Sequence, residues 1–344
     1  MTLNVAPMGT APATTRGGER EPQAPVWSRF LSHGVVRFAV RSVVRLVLVV
    51  IGVLTLLFVL LRIAGDPAKA LAGQDATPAD LLRIRAQLGL DRPIMTQYWE
   101  FVTRAFLFDF GDSYKLNTDA MGEVLHRLPA TLGLILAALA LAPLIGIPLG
   151  MIAALARSRI YDKLMDVIVV GGQAIPVFAV AVLLVYLFGV ELRWVPTLAT
   201  AGFASDPRAI LLPVLVLAIH PISRILEVTR AGLADSMQED FVRTALSKGV
   251  PPARLVTRHA IRPVLNSLIT VLGVDFAGML SGGVVVEFIF VWPGLGHVLI
   301  SGVSNRDYPI VGAATFVAAV LVVLVNLIID IAYRQLDPRI RKGR

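Results

Sequence analysis

The chain contains no cysteine, which excludes disulfides, iron–sulfur clusters and thiolate zinc sites, and leaves the redox compartment unread. Charge is scarce: 16% of the 344 residues are Asp, Glu, Lys or Arg, against about 25% in ordinary soluble domains. The five histidines, His33, His126, His220, His259 and His297, show neither His-Glu-x-x-His spacing nor close neighbours, so the pattern offers no metal site. No G-x-x-x-x-G-K-[ST] phosphate loop occurs, so ATP hydrolysis is not expected of this polypeptide itself. Gly294-Leu295-Gly296 lacks the preceding strand and the G-x-x-G continuation of a dinucleotide site, and no nucleophile elbow or paired-carboxylate site stands out. What remains is apolar surface. With 56% apolar residues and a mean hydropathy of +0.73, the chain reads as an all-α polytopic membrane protein.

Apolar runs of about eighteen residues or more occur at Val43–Ile63, Leu132–Ala156, Met165–Val190, Ile210–Leu226, Leu265–Ile289 and Ile310–Tyr333. The fourth is interrupted by His220, Pro221 and Arg224. With six spans, the side holding the N-terminal segment, Arg157–Lys163, Arg224–Arg262 and the C-terminal tail carries 21 of the 32 Lys and Arg residues, and the other side 11. The positive-inside bias assigns the first side, with both termini, to the cytoplasm. The net charge of +8 is then topology rather than a nucleic-acid footprint, since no basic and aromatic residues interleave in a soluble domain. Residues 1–36, rich in Pro, Gly, Ala and Thr without an apolar period, read as a disordered cytoplasmic extension. They do not read as a signal peptide: the first apolar run, within residues 37–63, is longer than a signal core and has no small-residue cleavage site after it.

Residues 64–131 form a long extracytoplasmic segment with helix signals of its own. Thr77, Pro78 and Asp80 start a helix with Leu81, Ile84 and Leu88 on one face and Gly89 as its stop. A second run, Gln97–Phe106, is followed by Phe108, Phe110 and Tyr114, an aromatic set suited to the membrane interface. The segment reads either as a packed cap or as a surface receiving substrate from an external partner. The other informative insertion lies within 234–263. Ser236 and Glu239 have capping-box spacing, Asp240 falls in a first turn and Lys248 in a last one, and Gly249, Pro251 and Pro252 end the helix. Met237, Phe241 and Ala245 form an apolar stripe flanked by Val242 and Leu246, while Glu239, Asp240, Arg243 and Lys248 supply charge. A second short helix places Arg254, Arg258 and Arg262 on one face before Pro263. Such a polar unit is expected to meet a soluble partner, or to rest on anionic lipid.

Three acidic or basic groups lie at unusual places. His220 and Asp275 both fall near the membrane midplane by residue count, where an ionised Asp costs about 2.5–3.5 kcal/mol and needs protein or water around it. Asp275 then either faces a pathway with His220 as neighbour or is a structural group between helices. Glu287, at the outer end of the fifth run, either meets a substrate's amino group or sits at the interface. Gly278, Gly282 and Gly283 permit close helix approach, and Pro148, Pro176 and Pro221 mark kinks.

A set of short motifs carries a resemblance. In order they are Gly65-Asp66-Pro67, Leu88-Gly89-Leu90-Asp91-Arg92-Pro93, Phe110-Gly111-Asp112-Ser113, Gly146-Ile147-Pro148-Leu149-Gly150, Ala174-Ile175-Pro176-Val177-Phe178, Trp292-Pro293-Gly294-Leu295-Gly296, Arg306-Asp307-Tyr308-Pro309 and Asp337-Pro338-Arg339-Ile340-Arg341. From about Arg37 to Arg341 the chain resembles the B-type transmembrane permeases of binding-protein-dependent dipeptide and oligopeptide ABC importers. The polar unit resembles that family's ATPase-docking loop, with Ala245 and Gly249 matching and the Glu-Ala-Ala and Leu-Pro elements of the general pattern absent. The resemblance implies the type I importer architecture of six spans, with a five-helix core at 132–340. It implies a distinct C-type permease as partner, two cytoplasmic ATPase subunits that bind ATP and Mg, and an extracytoplasmic peptide-binding protein. It also implies that Glu239, Asp240, Phe241, Arg243, Thr244, Ala245, Lys248 and Gly249 couple ATP-driven closure to movement of the spans, with no cofactor or catalytic residue in this chain. Permeases of similar sequence carry dipeptides, longer peptides, nickel chelates or glutathione. A proton-coupled secondary transporter using Asp275 and His220 is the reading from another class, and it predicts an internal repeat that the sequence does not show.

Overall fold

The computed structural model describes residues 33–72, 76–156, 158–199 and 206–336. Most of the expected N-terminal extension, and the Asp337–Arg341 motif, lie outside them. Residues Met1–Arg45 and Leu46–Arg344 separate as two units, and the packing below concerns the second.

Helix α1 (His33–Ala64) is followed by α2 (Pro67–Ala72), α3 (Pro78–Gln87), α4 (Ile94–Phe106), α5 (Ala120–Leu155), α6 (Arg159–Ala174) and α7 (Val177–Leu184), which continues as a π-helix at Val185–Glu191. Then come α8 (Leu211–Ser236), α9 (Asp240–Ser247), α10 (Pro252–Arg254), a π-turn at Leu255–Ala260, α11 (Ile261–Ile289), α12 (Leu295–Ser304) and α13 (Tyr308–Leu336). Five stretches are long and apolar enough to cross a membrane: Val40–Ile63, Ala120–Leu155, Pro207–Ser236, Leu255–Ile289 and Tyr308–Ile329. The third expected span is broken: Ile160–Ala174 and Val177–Glu191 meet at 105°. The break has a local cause. Pro176 brings no N–H to the helix ladder, and the residue before a proline is driven out of the helical region; Ile175 has φ −78° and ψ 126°.

The broken pair nevertheless joins the two ends of the bundle. At one end Arg230 of α8 holds Asp166 (2.6 Å) and Asp162 (3.3 Å) of α6, and Leu233, Val256 and Ala260 pack with Met151 and Ala154 of α5. At the other end, after the π-helix, the Ala199 amide donates to the Phe290 carbonyl (2.8 Å). Helices α5, α8 and α11 therefore run between the same two ends, as six crossings require.

Helix α8 is the hub: 67% of its apolar window is buried, against 17% for Val40–Ile63. It lies against α5 at very close range. Ala138, Ala142, Gly146 and Gly150 recur every four residues on the buried face of α5, and a Cβ on Gly150 would sit 2.6 Å from Thr229 Cβ and 2.7 Å from the Leu226 carbonyl. Backbones approach this closely only over such small residues. Gly278 and Gly282 do not serve this purpose, because a Cβ on either meets nothing within 4 Å.

The segment between α1 and α5 folds as the capping signals require. Thr77 and Asp80 form a reciprocal capping box, and Gly89 adopts φ +65° after the last turn. Of the expected aromatic set, Phe110 and Tyr114 pack inward, Phe110 against Phe101 and Phe316 and Tyr114 edge-on to Tyr308, while Phe108 stays 57% exposed. Buried Asp307 ties two of the motifs together, accepting from the Ser113 hydroxyl and from the Tyr114 and Lys115 amides (both 3.2 Å). Burial first, then the Asp307 charge, pushes the Tyr114 phenol up to about 12, so it stays protonated.

Gly150→Val is expected to destabilise the protein by about 1–3 kcal/mol through overpacking, whereas Gly278→Ala is neutral; thermal unfolding in detergent of the two variants measures the contrast.

Candidate functional site

Two regions gather polar residues. The first is the connection between α8 and α11. Here α8 runs on through Ser236, so that residue ends a long helix and does not cap a new one, and the expected capping box is not formed. Helix α9 has only eight residues, with Glu239 at its N-cap making no side-chain cap bond. Its C-terminus follows the sequence closely. Gly249 takes φ +75°, its amide donates to Leu246 (2.9 Å) and the Val250 amide to Ala245 (3.2 Å), the hydrogen-bond pair of a Schellman stop. Val242 is the anchor, fully buried, while Phe241 is 41% and Leu246 49% exposed. The apolar stripe thus divides, with Val242 seating the helix and Phe241 and Leu246 facing out. Glu239, Asp240, Arg243, Thr244 and Lys248 are exposed around them.

The expected second helix is not separate. From Pro252 the chain passes through the π-turn straight into α11. The ring of Pro263 has no N–H to give and would clash with a carbonyl one α-turn back, and a wider π-turn just before it relieves that conflict. Arg254, Arg258 and Arg262 all remain exposed.

The second region lies at mid-bundle on α8. His220, Arg224 and Glu227 recur at four and three residues, hence on one helix face, and His220 and Glu227 are exposed between apolar turns. Arg224, which the sequence places at the cytoplasmic end, sits thirteen residues into α8 because the helix extends to Ser236. Its Nη1 donates to Asp275 Oδ1 at 3.1 Å across to α11, with the Arg224 side chain 39% and the Asp275 side chain 2% exposed. Asp275 is therefore not itself presented to an aqueous pathway. It is the buried counter-ion that holds Arg224, and its Oδ2 has no hydrogen-bond partner. Exposed Gln173 on α6 donates to Glu227 Oε2 (2.9 Å). Arg224 entered the sequence reading only as an interruption of the fourth run, and Glu227 and Gln173 did not stand out, although the His220/Arg224/Glu227 spacing was there to be read.

Glu287 belongs to neither region. It is 1% exposed, and its Oε2 accepts from the amides of Gly296 (2.6 Å) and His297 (3.3 Å). Both readings of it, substrate contact and membrane interface, give way to a third: a buried cap on the α12 N-terminus, where a carboxylate satisfies orphan donors. Trp292 Nε1 donating to Ala130 (3.1 Å) and the Leu295 amide donating to Thr131 Oγ1 (2.7 Å) fasten the same turn to α5.

Comparison with known families agrees with this arrangement. Residues 146–342, which include both polar regions, match the family described as binding-protein-dependent transport system inner membrane component, and residues 35–135 match its N-terminal counterpart. The chain belongs to this permease family. It is accordingly a multi-pass inner-membrane permease subunit of an ABC importer, a class in which the ATPase resides on partner subunits and a second permease and a binding protein complete the assembly.

The permease is 36% identical over 294 residues to the glutathione transport system permease protein GsiC of Escherichia coli (strain K12), covering 86% of this chain and 94% of that one. The GsiC protein of Salmonella typhimurium (strain LT2) matches to the same extent. Among solved structures, a chain of the MetNI methionine ABC transporter in inward-facing conformations superimposes with a TM-score of 0.52 at 15% identity, covering 63% of this chain and 97% of that chain. That likeness concerns the fold alone.

The cap on α12 makes a distinct prediction. Glu287→Leu strands buried amides and is expected to cost about 1–3 kcal/mol, read as a lowered unfolding midpoint in detergent. Glu287→Gln keeps an acceptor oxygen and most of the stability, and neither variant shifts the substrate concentration for half-maximal transport.

Proposed function

We propose that this permease is the B-type pathway subunit of an importer for short peptides, glutathione among them, paired with a distinct C-type permease, two ATPase subunits and an external peptide-binding protein. The observation that carries the coupling part is the seating of α9: Val242 buried beneath it, Phe241 and Leu246 exposed above it. An apolar pair held out on a short helix, rimmed by Glu239, Asp240, Arg243 and Lys248, has the form of a helix that enters a groove on another protein. Because α9 lies in the chain between the hub helix α8 and α11, a push on it acts on both helices. The excess of Lys and Arg on this side supports a cytoplasmic placement with both termini inside.

Peptide cargo is supported by the likeness to the glutathione permeases and by the mid-bundle face, which presents both signs of charge. Charged side chains at that depth, facing away from their own bundle, call for water or a partner permease against them. His220 and the Arg224–Asp275 pair are accordingly assigned to the pathway wall, Asp275 from behind. A nickel-chelate cargo has no comparable support on this face. A proton relay through Asp275 and His220 is disfavoured by the burial of Asp275 and by the Arg224 pairing, which takes one of its carboxylate oxygens.

Co-purification tests the coupling helix. Phe241→Asp with Leu246→Asp is expected to lower retention of the ATPase subunits by at least about tenfold, equivalent to 1.4 kcal/mol or more, while the permease pair stays assembled. Unchanged retention rejects the docking role. The cysteine-free sequence allows a second measurement: His220→Cys is expected to react with a membrane-impermeant thiol reagent at a rate that changes when ATP is added, and an inert thiol in every state removes His220 from the pathway.

A further inference from the structure

The proposed pathway wall has an internal order that narrows what it recognises. Arg224 carries five N–H donors, and one of them is engaged, by Asp275 Oδ1. A purely structural Arg–carboxylate pair favours the bidentate fork with both groups buried. Here the contact is single, the carboxylate is buried, and the guanidinium is turned outward at 39% exposure. One α-helical step nearer the coupling unit, Glu227 is exposed, with Oε2 oriented by Gln173. Residues three apart on a helix have Cβ atoms about 5–6 Å apart. An extended peptide advances about 3.3–3.6 Å per residue, so the charged ends of a two- or three-residue peptide match a separation that the long Arg and Glu side chains can span.

We propose that Arg224 and Glu227 form a zwitterion site at mid-membrane, Arg224 taking a carboxylate of the cargo and Glu227 its ammonium, with Asp275 as the positioning residue that aims Arg224. The site rests on the peptide-importer reading and adds the chemistry by which the pathway prefers its cargo. It is one-sided and open, as a transit site must be, since a site that holds its cargo from every side does not release it. Asp275 keeps Arg224 from reaching across to Glu227, three residues away on the same helix, which would cancel both charges before cargo arrived.

The test uses the complete importer in proteoliposomes with its receptor, and three probes: alanyl-alanine, alanyl-alanyl-alanine and glutathione. Each is supplied as the free peptide, as its C-terminal amide and as its N-acetyl derivative. The same receptor serves every variant, so its own preference cancels when ratios are compared, and retention of the ATPase subunits is the assembly control. Arg224→Gln is expected to reduce the wild-type free-acid-to-amide uptake ratio by at least about tenfold, whereas Arg224→Lys retains most of it. Glu227→Gln is expected to collapse the free-amine-to-acetyl ratio and leave the amide ratio in place. If Arg224→Gln does not assemble because Asp275 is left unpaired, the doubly neutral Arg224→Gln/Asp275→Asn variant carries the same expectation. Wild-type ratios in the assembled Arg224 and Glu227 variants overturn the zwitterion site and leave the importer reading standing. Absence of ATP-driven uptake of all three free peptides by the wild type overturns the peptide-cargo reading itself, and this site with it.

Discussion

The close contact of α5 with α8 is the constraint on which the rest of the molecule depends. Lipid chains are as apolar as leucine, so two helices in a membrane gain little from hiding apolar side chains from each other; they associate where their backbones can approach. Ala138, Ala142, Gly146 and Gly150 provide that approach along one face of α5, and Ile222, Ile225, Leu226 and Thr229 of α8 fill it. With one side of α8 locked in this way and α11 packed beside it, the face bearing His220, Arg224 and Glu227 is left outward. A charged residue in hydrocarbon is costly unless partnered or wet, so the packing of small residues on one side of α8 fixes where its charged residues act.

The two ends of the bundle are built differently. The end at α12 is fastened by buried carboxylates that accept backbone amides: Glu287 caps α12, and Asp307 gathers the loop around Ser113. These are rigid devices, because an amide without its acceptor in a buried site loses its full hydrogen bond. The other end, beside α9, carries exposed or half-exposed ion pairs, Arg230 with Asp162 and Asp166, which are worth little individually and are easily exchanged with water, beside the small buried cluster of Leu233, Val256 and Ala260.

Much of this was legible from residues alone, and the exceptions have specific causes. The Thr77 capping box and the stops at Gly89 and Gly249 depend on neighbours in sequence, and each appears where the residues placed it. The Ser236–Glu239 capping box has the same spacing and does not form, because Ser236 is buried in the packing of α8 and tertiary contact outweighs a local cap. The third span breaks at Pro176 by 105°, an angle that an apolar run does not encode. Glu287 resembled an interfacial or ligand-binding acid in the sequence, since the amides that claim it, on Gly296 and His297, lie beyond a turn whose course no periodicity reveals.

Hydropathy and motif order were enough to point to a multi-span helical permease of the binding-protein-dependent class, the family to which the chain belongs, because the bilayer imposes span length on the sequence itself. The depth and direction of individual polar side chains came only from the tertiary structure. Arg224 sits mid-bundle because α8 runs on to Ser236, past the end of its apolar run, and Asp275, which the sequence left as either a pathway group or a structural one, is buried beside it as its counter-ion. Both outcomes follow from which neighbour a helix packs against, a relation between segments far apart in the chain that no local pattern carries.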